Sequence, residues 1–285
     1  MIEGKNILIT GANSGIGKVT AIELAKMGAN IIMVCRNKEK AEIAQQEINA
    51  NSKLNNTDLL IADLSSSASI CRFADLFYKK YDKLDVLINN AGAIYTERQE
   101  NKEGIELTMA TNHLGYFLMT HYLLDALKNA DAARIVNVAS VAHRFTSYKP
   151  NDLNAQKSYQ YMKQYGLSKL SNMLFSKYLS QYLKDTNITS NALHPGNIAS
   201  NFGKNNNSFF GYLVKIGAFA LINPNKGAKT SIYLASSPEV EGKTGLYWYK
   251  QKIEKPSKDA TNMEFAQHLW NWSLDKTRIQ TFGKI

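Results

Sequence analysis

Cysteine is scarce: Cys35 and Cys71 are the only two in 285 residues. That is too few for a disulfide framework in a chain this long, and the expectation is a reducing, cytoplasmic compartment. No apolar stretch reaches the ~18 residues of a membrane span. The nearest, residues 209–222, is short and carries Lys215. A targeting segment or transmembrane anchor is not expected, because residues 1–5 lead straight into a brief apolar run that ends at Thr10. Internal repeats and low-complexity linkers are missing as well. Metal-ligand spacing is also missing, since His113, His143 and His194 stand apart with no cysteine or carboxylate cluster beside them. The formal net charge of +10 raises nucleic acid as a partner. The basic residues are scattered, however, and clusters such as Lys79 with Lys80 lack interleaved stacking aromatics. A solvated surface, with some share for anionic ligands, accounts for the excess.

What remains is globular composition, 44% hydrophobic and 20% charged, arranged in two alternating periods. Short β-rich runs occupy residues 6–10, 30–35, 58–61, 86–89, 134–139 and 188–193. Helical spacing predicts helices over 16–27, 38–49, 70–81, 104–127 and 165–183. Strand and helix in alternation mean βαβ units and a parallel sheet. Ile7-Leu8-Ile9 and Val86-Leu87-Ile88 are apolar on both faces, as strands covered on both sides must be. An irregular stretch over about 197–225 reads as a substrate loop. A helix over 226–236, a short strand over 245–249 and a helical tail over 259–278 complete the expectation. The fold class is α/β, a single doubly wound Rossmann-type domain spanning 1–285 with helices flanking a parallel sheet.

The first strand ends in Thr10-Gly11-Ala12-Asn13-Ser14-Gly15-Ile16-Gly17, directly before a helix. Glycines there permit a tight turn and close approach of backbone N–H groups to a pyrophosphate, and the helix N-terminus adds partial positive charge. A plain turn would use glycine too; the strand–loop–helix context favours phosphate. An NAD site usually places an acid on the ribose about twenty positions on. Here the second strand ends Val34-Cys35-Arg36-Asn37, with no acid. Arg36 offers a fork for a 2′-phosphate, with Lys18 as a second cation, so NADP(H) is the expected cofactor.

Tyr165 and Lys169 are four apart, so a helix would place them on one face. A lysine ammonium near a phenol lowers a pKa that starts near 10. Tyr159 and Lys163 have the same spacing, and surroundings choose between the pairs. Asn89-Asn90-Ala91-Gly92 closes the fourth strand, Asn137-Val138-Ala139-Ser140 the fifth, and Pro195-Gly196 follows the sixth. All fall at the carboxyl edge of the sheet, where open α/β sheets bind ligands.

This ordered set, with Asp63-Leu64, Asn112 and Tyr165-Gly166-Leu167-Ser168-Lys169, resembles the short-chain dehydrogenase/reductase family along about the whole chain. Thr111-Asn112-His113-Leu114-Gly115 and Ser140-Val141-Ala142-His143 look most like its retinol dehydrogenase-like group. The resemblance implies a catalytic set of Asn112, Ser140, Tyr165 and Lys169. In it Tyr165 is the general acid or base and Lys169 lowers its pKa and holds the ribose. Ser140 binds the substrate oxygen, and Asn112 supports a relay water. It also implies cofactor contacts from Gly11, Asn13, Ser14, Gly15, Ile16 and Gly17, then Arg36, Asp63, Leu64, Asn90, Ala91 and Gly92. Tyr165, Lys169, Pro195, Gly196 and Ile198 complete that set. The implied activity is hydride transfer between NADP(H) and an apolar, retinoid-like carbonyl or alcohol. An idle nucleotide-binding sensor of the same fold is the alternative. Residues 104–127 and 165–183 resemble helices that pair in family dimers, so a homo-oligomer stays open. The wide spacing from Ser140 to Tyr165 implies an insertion over 144–163, and His143 and Arg144 could touch substrate. The aromatic stretch 209–222 reads as a packed helix, a lid or a membrane contact.

Overall fold

The computed structural model describes residues 2–52, 57–196 and 223–284. Ile198 and the stretch 209–222 lie outside them. Eight strands form one sheet in the order β3-β2-β1-β4-β5-β6-β7-β8. They are β1 (Asn6–Thr10), β2 (Asn30–Cys35), β3 (Thr57–Ile61), β4 (Val86–Asn89), β5 (Ala133–Val138), β6 (Ile188–Leu193), β7 (Tyr247–Tyr249) and β8 (Lys252–Ile253). All pairings are parallel except β7 with β8. β1 pairs with both β2 and β4, so the order reverses there, which opens a crevice at the strand ends.

Alternation along each strand sends side chains to two cores. Ile7, Ile9, Ile31, Met33, Val86 and Ile88 enter one. It is covered by α1 (Gly15–Lys26), α2 (Lys38–Asn51) and α7 (Pro224–Ser236). Leu8, Ile32, Val34 and Leu87 enter the other. Over it lie α3 (Ser67–Tyr78), α5 (Gly115–Lys128), α6 (Tyr161–Tyr182) and α8 (Met263–Thr277).

The segment expected as one helix over 104–127 is interrupted. It starts as the short α4 (Leu107–Met109), widens into a π-helical turn at Ala110–Leu114 and continues as α5. Gly104 lies outside it with φ of 74°, a left-handed conformation that ends helical continuity. Apolar period shows neither the delayed start nor the extra residue of the π turn. Likewise α6 begins at Tyr161, one turn before the expected start, so Tyr165 sits inside a formed helix.

The C-terminal α8 packs on α5 and α6. Trp270 meets Phe117 at 5.3 Å, Tyr178 at 4.7 Å and Phe282 at 4.6 Å between ring centroids. The two helices that resemble a dimer-forming pair are thus already partnered within the chain. Trp270→Ala should destabilise the fold by about 3–5 kcal/mol, the range for emptying a buried aromatic site. Urea unfolding would read this as a lowered midpoint at unchanged slope. A loss under about 1 kcal/mol would show that the tail is not an integral part of this core.

Candidate active site

The loop after β1 is held in a conformation open to glycine. Gly11 and Gly15 have φ of 69° and 54°. A Cβ on Gly17 would collide with the Gly11 carbonyl oxygen and stand 2.5 Å from Asn90 Nδ2. Thr10 pins this loop to the end of β4: its Oγ1 accepts from Asn90 N at 2.9 Å and Ala91 N at 3.0 Å. Asn90 Nδ2 returns a bond to the Thr10 carbonyl at 2.8 Å. Ser14 stands at the N-cap of α1 but makes no capping hydrogen bond, and the first turn holds no acid. The helix therefore turns uncapped N–H groups and its positive end toward the crevice.

That crevice has a volume of about 250 Å³. Gly11, Asn13, Ser14, Gly15, Ile16 and Gly17 line its β1 side; Asn90, Ala91 and Gly92 line its β4 side. Arg36, Asp63 and Leu64 line it from β2 and β3, together with Thr111 and with Ala93 and Tyr95, which sequence reasoning did not single out. The glycine cradle, the uncapped helix end and the elongated run of lining groups fit a dinucleotide.

Arg36 is exposed on the crevice and is the one cation among the described residues that line it. Lys18, the expected second cation, points elsewhere and pairs with Glu47 of α2 at 2.6 Å. Asn37 caps α2, accepting from Lys40 N at 2.9 Å. Asp63 is held by Ser65, whose N and Oγ donate to Oδ1 at 2.9 and 2.7 Å. Cys35 also lines the crevice. Burial pushes its thiol up to about 11, against weaker opposing bonds from Ala12 and Asn13, so it stays a neutral thiol.

Beyond the crevice, at the ends of β4, β5 and β6, lies the expected chemical centre. Asn89 belongs to the scaffold beneath it. Its Nδ2 donates to Asn137 Oδ1 at 3.0 Å, and Asn137 Nδ2 donates to Ser190 Oγ at 3.3 Å, a polar ladder across three strands. Ser140 caps the 3-10 turn Val141–Phe145, accepting from Ala142 N at 3.2 Å. The Ser140 side chain stands near the Tyr165 hydroxyl. Their meeting depends on Gly166: a Cβ there would stand 2.8 Å from the Ala142 carbonyl oxygen, so glycine lets α6 close on this turn. Burial pushes the Tyr165 phenol up to about 12, and the nearby Ser140 side chain opposes it.

Lys169 is fully buried one turn along α6 and donates to the Val138 carbonyl at 3.0 Å. Its ammonium lies 5.8 Å from the Tyr165 ring centroid and 5.6 Å from that of Tyr116. Burial pushes it down to about 7. Asn112 sits in the π turn. Its Oδ1 accepts from Ala93 N at 2.8 Å, and its Nδ2 donates to Ala93 O at 2.9 Å and Ser168 Oγ at 3.0 Å. Ser168 in turn donates to the Tyr165 carbonyl at 2.7 Å. The Asn112 side chain thus ties the crevice wall to α6.

Tyr159 precedes α6, so it shares no helix face with Lys163. Its hydroxyl donates to the Tyr95 carbonyl at 2.6 Å. His143 is buried between the Ser140 carbonyl at 2.7 Å and Ser257 N at 3.3 Å, and burial pushes it down to about 4. Arg144 pairs with Glu254 at 2.9 Å. Both residues therefore brace the Ser140 turn against residues 254–257. His194 stacks on Tyr249 at 4.0 Å. Pro195 and Gly196 follow β6 at the same sheet edge, and neither lines the crevice. Among the described residues no three His, Cys, Asp or Glu side chains gather as metal ligands.

The short chain dehydrogenase family model matches residues 5–209. Mouse (Mus musculus) Retinol dehydrogenase 12 is 39% identical over 98% of this chain and 88% of its own. Human Retinol dehydrogenase 14 is 38% identical over 96% and 86%. A solved structure of a putative uncharacterized protein from Mycobacterium paratuberculosis superposes with a TM-score of 0.81, at 30% identity over 100% of this chain and 96% of that one. A Shigella flexneri short chain dehydrogenase solved with NADP shares the fold, with a TM-score of 0.66 at 23% identity over 88% of this chain and 98% of that one. With the crevice, the sheet order and these relatives together, the chain belongs to the short-chain dehydrogenase family, within its retinol dehydrogenase-like group, as an oxidoreductase acting on CH–OH groups.

Proposed function

We propose that this chain exchanges a hydride between NADP(H) and an apolar carbonyl or alcohol of retinoid-like character, with Tyr165 moving the proton. The observation that carries this reading is the burial of Tyr165 with Lys169 at 5.8 Å from its ring, near Ser140, at the sheet edge that continues the glycine-lined crevice. When bound, the nicotinamide supplies or takes the hydride. The chain's residues do the rest. Arg36 holds the 2′-phosphate and the N-terminus of α1 the pyrophosphate. Ser140 donates to the substrate oxygen, and Tyr165 delivers or removes the proton.

Protonation of Tyr165 sets which form is ready in the free protein. A phenol pushed up to about 12 is neutral at pH 7 and ready to donate. Oxidation needs the phenolate, which positive charge on Lys169 stabilises. Lys169, pushed down to about 7, is only partly charged at neutral pH until a bound ligand adds negative charge nearby.

The test is NADPH oxidation at 340 nm with a panel of apolar aldehydes and ketones that includes retinal. Turnover on the order of 1–10³ s⁻¹ with at least one member is expected. Tight NADPH binding with no turnover across the panel would overturn the reading.

A further inference from the structure

Glu106 is fully buried, yet nothing in the catalytic set accounts for a carboxylate at its position. Its Oε1 accepts from Thr108 N at 2.8 Å, and its Oε2 accepts from Met109 N at 3.0 Å. It therefore caps the helical segment that runs into the π turn of Asn112. A shorter acid would serve as such a cap, since aspartate is among the preferred N-cap residues. The longer side chain reaches further. Gln164 Nε2, on α6 immediately before Tyr165, donates to Glu106 Oε2 at 2.9 Å. Tyr159 Oη, which also donates to the Tyr95 carbonyl on the crevice wall, lies 3.4 Å from Oε1. The same Gln164 Nε2 also donates to the Leu153 carbonyl at 3.1 Å. One carboxylate thus gathers the start of the Asn112 segment, the first turn of α6 and the end of the 144–163 insertion.

The geometry points to Glu106 as a positioning residue that sets Tyr165 against the Asn112 turn and the crevice wall by holding Gln164. Two neighbouring ties converge on the same place: Asn112 reaches Ser168, and Ser168 reaches the Tyr165 carbonyl. Glu106 holds the N-terminal side of Tyr165 as Asn112 and Ser168 hold the C-terminal side. A carboxylate meets several N–H and O–H donors at once because it has about four lone-pair sites and no proton of its own to place.

The inference rests on Tyr165 being the acid–base group, and its test separates the two. Glu106→Asp keeps an acid at the cap but falls short of Gln164. Gln164→Leu removes the other end of the tie. Each should lower kcat about ten-fold, because small misplacement of a reacting group is costly, with KM for NADPH within about two-fold. The double variant should be no worse than the weaker single, the signature of one shared interaction. Amide exchange should accelerate at residues 164–168 in both singles. Additive losses, wild-type kcat in either single, or faster exchange confined to 107–114 would reduce Glu106 to a helix cap and overturn the proposal. A wild type that turns over no substrate would instead overturn the oxidoreductase reading, and the exchange pattern would then decide the tie alone.

Discussion

Tyr165→Phe should abolish turnover while leaving NADPH affinity within about two-fold of wild type. The variant removes one oxygen and keeps the ring that packs beside Lys169. The lost hydroxyl stands near Ser140, whose Oγ retains its contact with Ala142 N, so the turn that positions Ser140 stays capped. Tyr165 does not line the crevice that would hold the adenosine and pyrophosphate, which is why binding should survive. General acid–base catalysis contributes about 10²–10⁴-fold. Solvent does not readily replace the phenol, because the site is buried. Measurement of kcat with any accepted carbonyl, alongside calorimetric titration of NADPH, checks both halves. A variant with more than about a tenth of wild-type kcat would remove Tyr165 from the chemistry.

The second large effect is a reversal of cofactor choice in Arg36→Asp. Wild type should prefer NADPH to NADH. In the variant, kcat/KM with NADPH should fall by at least about 100-fold, while that with NADH changes by a few-fold in either direction. Charge-assisted hydrogen bonds contribute about 1.5–3 kcal/mol each, and a guanidinium can offer two to a phosphate. A carboxylate at this place both removes them and repels the phosphate, yet can accept from a ribose 2′-OH. The effect should be concentrated at this residue because Lys18 is engaged by Glu47 across α1 and α2. Lys18→Ala should therefore alter the preference little. Steady-state kinetics with both cofactors decides the matter: a wild type that prefers NADH would end the assignment to NADP(H).

Much of this site lies close to the surface of the sequence because it is built from local rules. A glycine loop between a strand and a helix has one geometry, and Gly11, Gly15 and Gly17 mark it by spacing alone. The doubly apolar runs in β1 and β4 required a sheet covered on both sides, and both cores are present. The absence of an acid after β2 was visible without coordinates, and Arg36 does stand at the crevice. Tyr165 and Lys169 share a helix face by their spacing, so their proximity followed once α6 was recognised.

Other parts depended on contacts between residues far apart in the chain, which no local pattern records. Tyr159 has the same spacing to a lysine as Tyr165; motif context favoured Tyr165, and the start of α6 at Tyr161 leaves Tyr159 outside the helix. Lys18 looked available until the packing of α1 on α2 brought Glu47 to it. Asn112 was expected to support a relay water, and the fold bonds its amide to Ala93 and Ser168. Glu106 carried one faint signal, an acid immediately before a helical run, which the expected start at residue 104 concealed. By itself the sequence determined the family, the parallel sheet, the glycine loop between β1 and α1 and the shared helix face of Tyr165 and Lys169, because motif order, short-range spacing and backbone rules carry each of them. Tertiary structure alone decided which polar groups are engaged, since burial obliges each buried donor and acceptor to find a partner wherever the fold brings one. Through that requirement Glu106 and Gln164, 58 positions apart, came to hold Tyr165 in place.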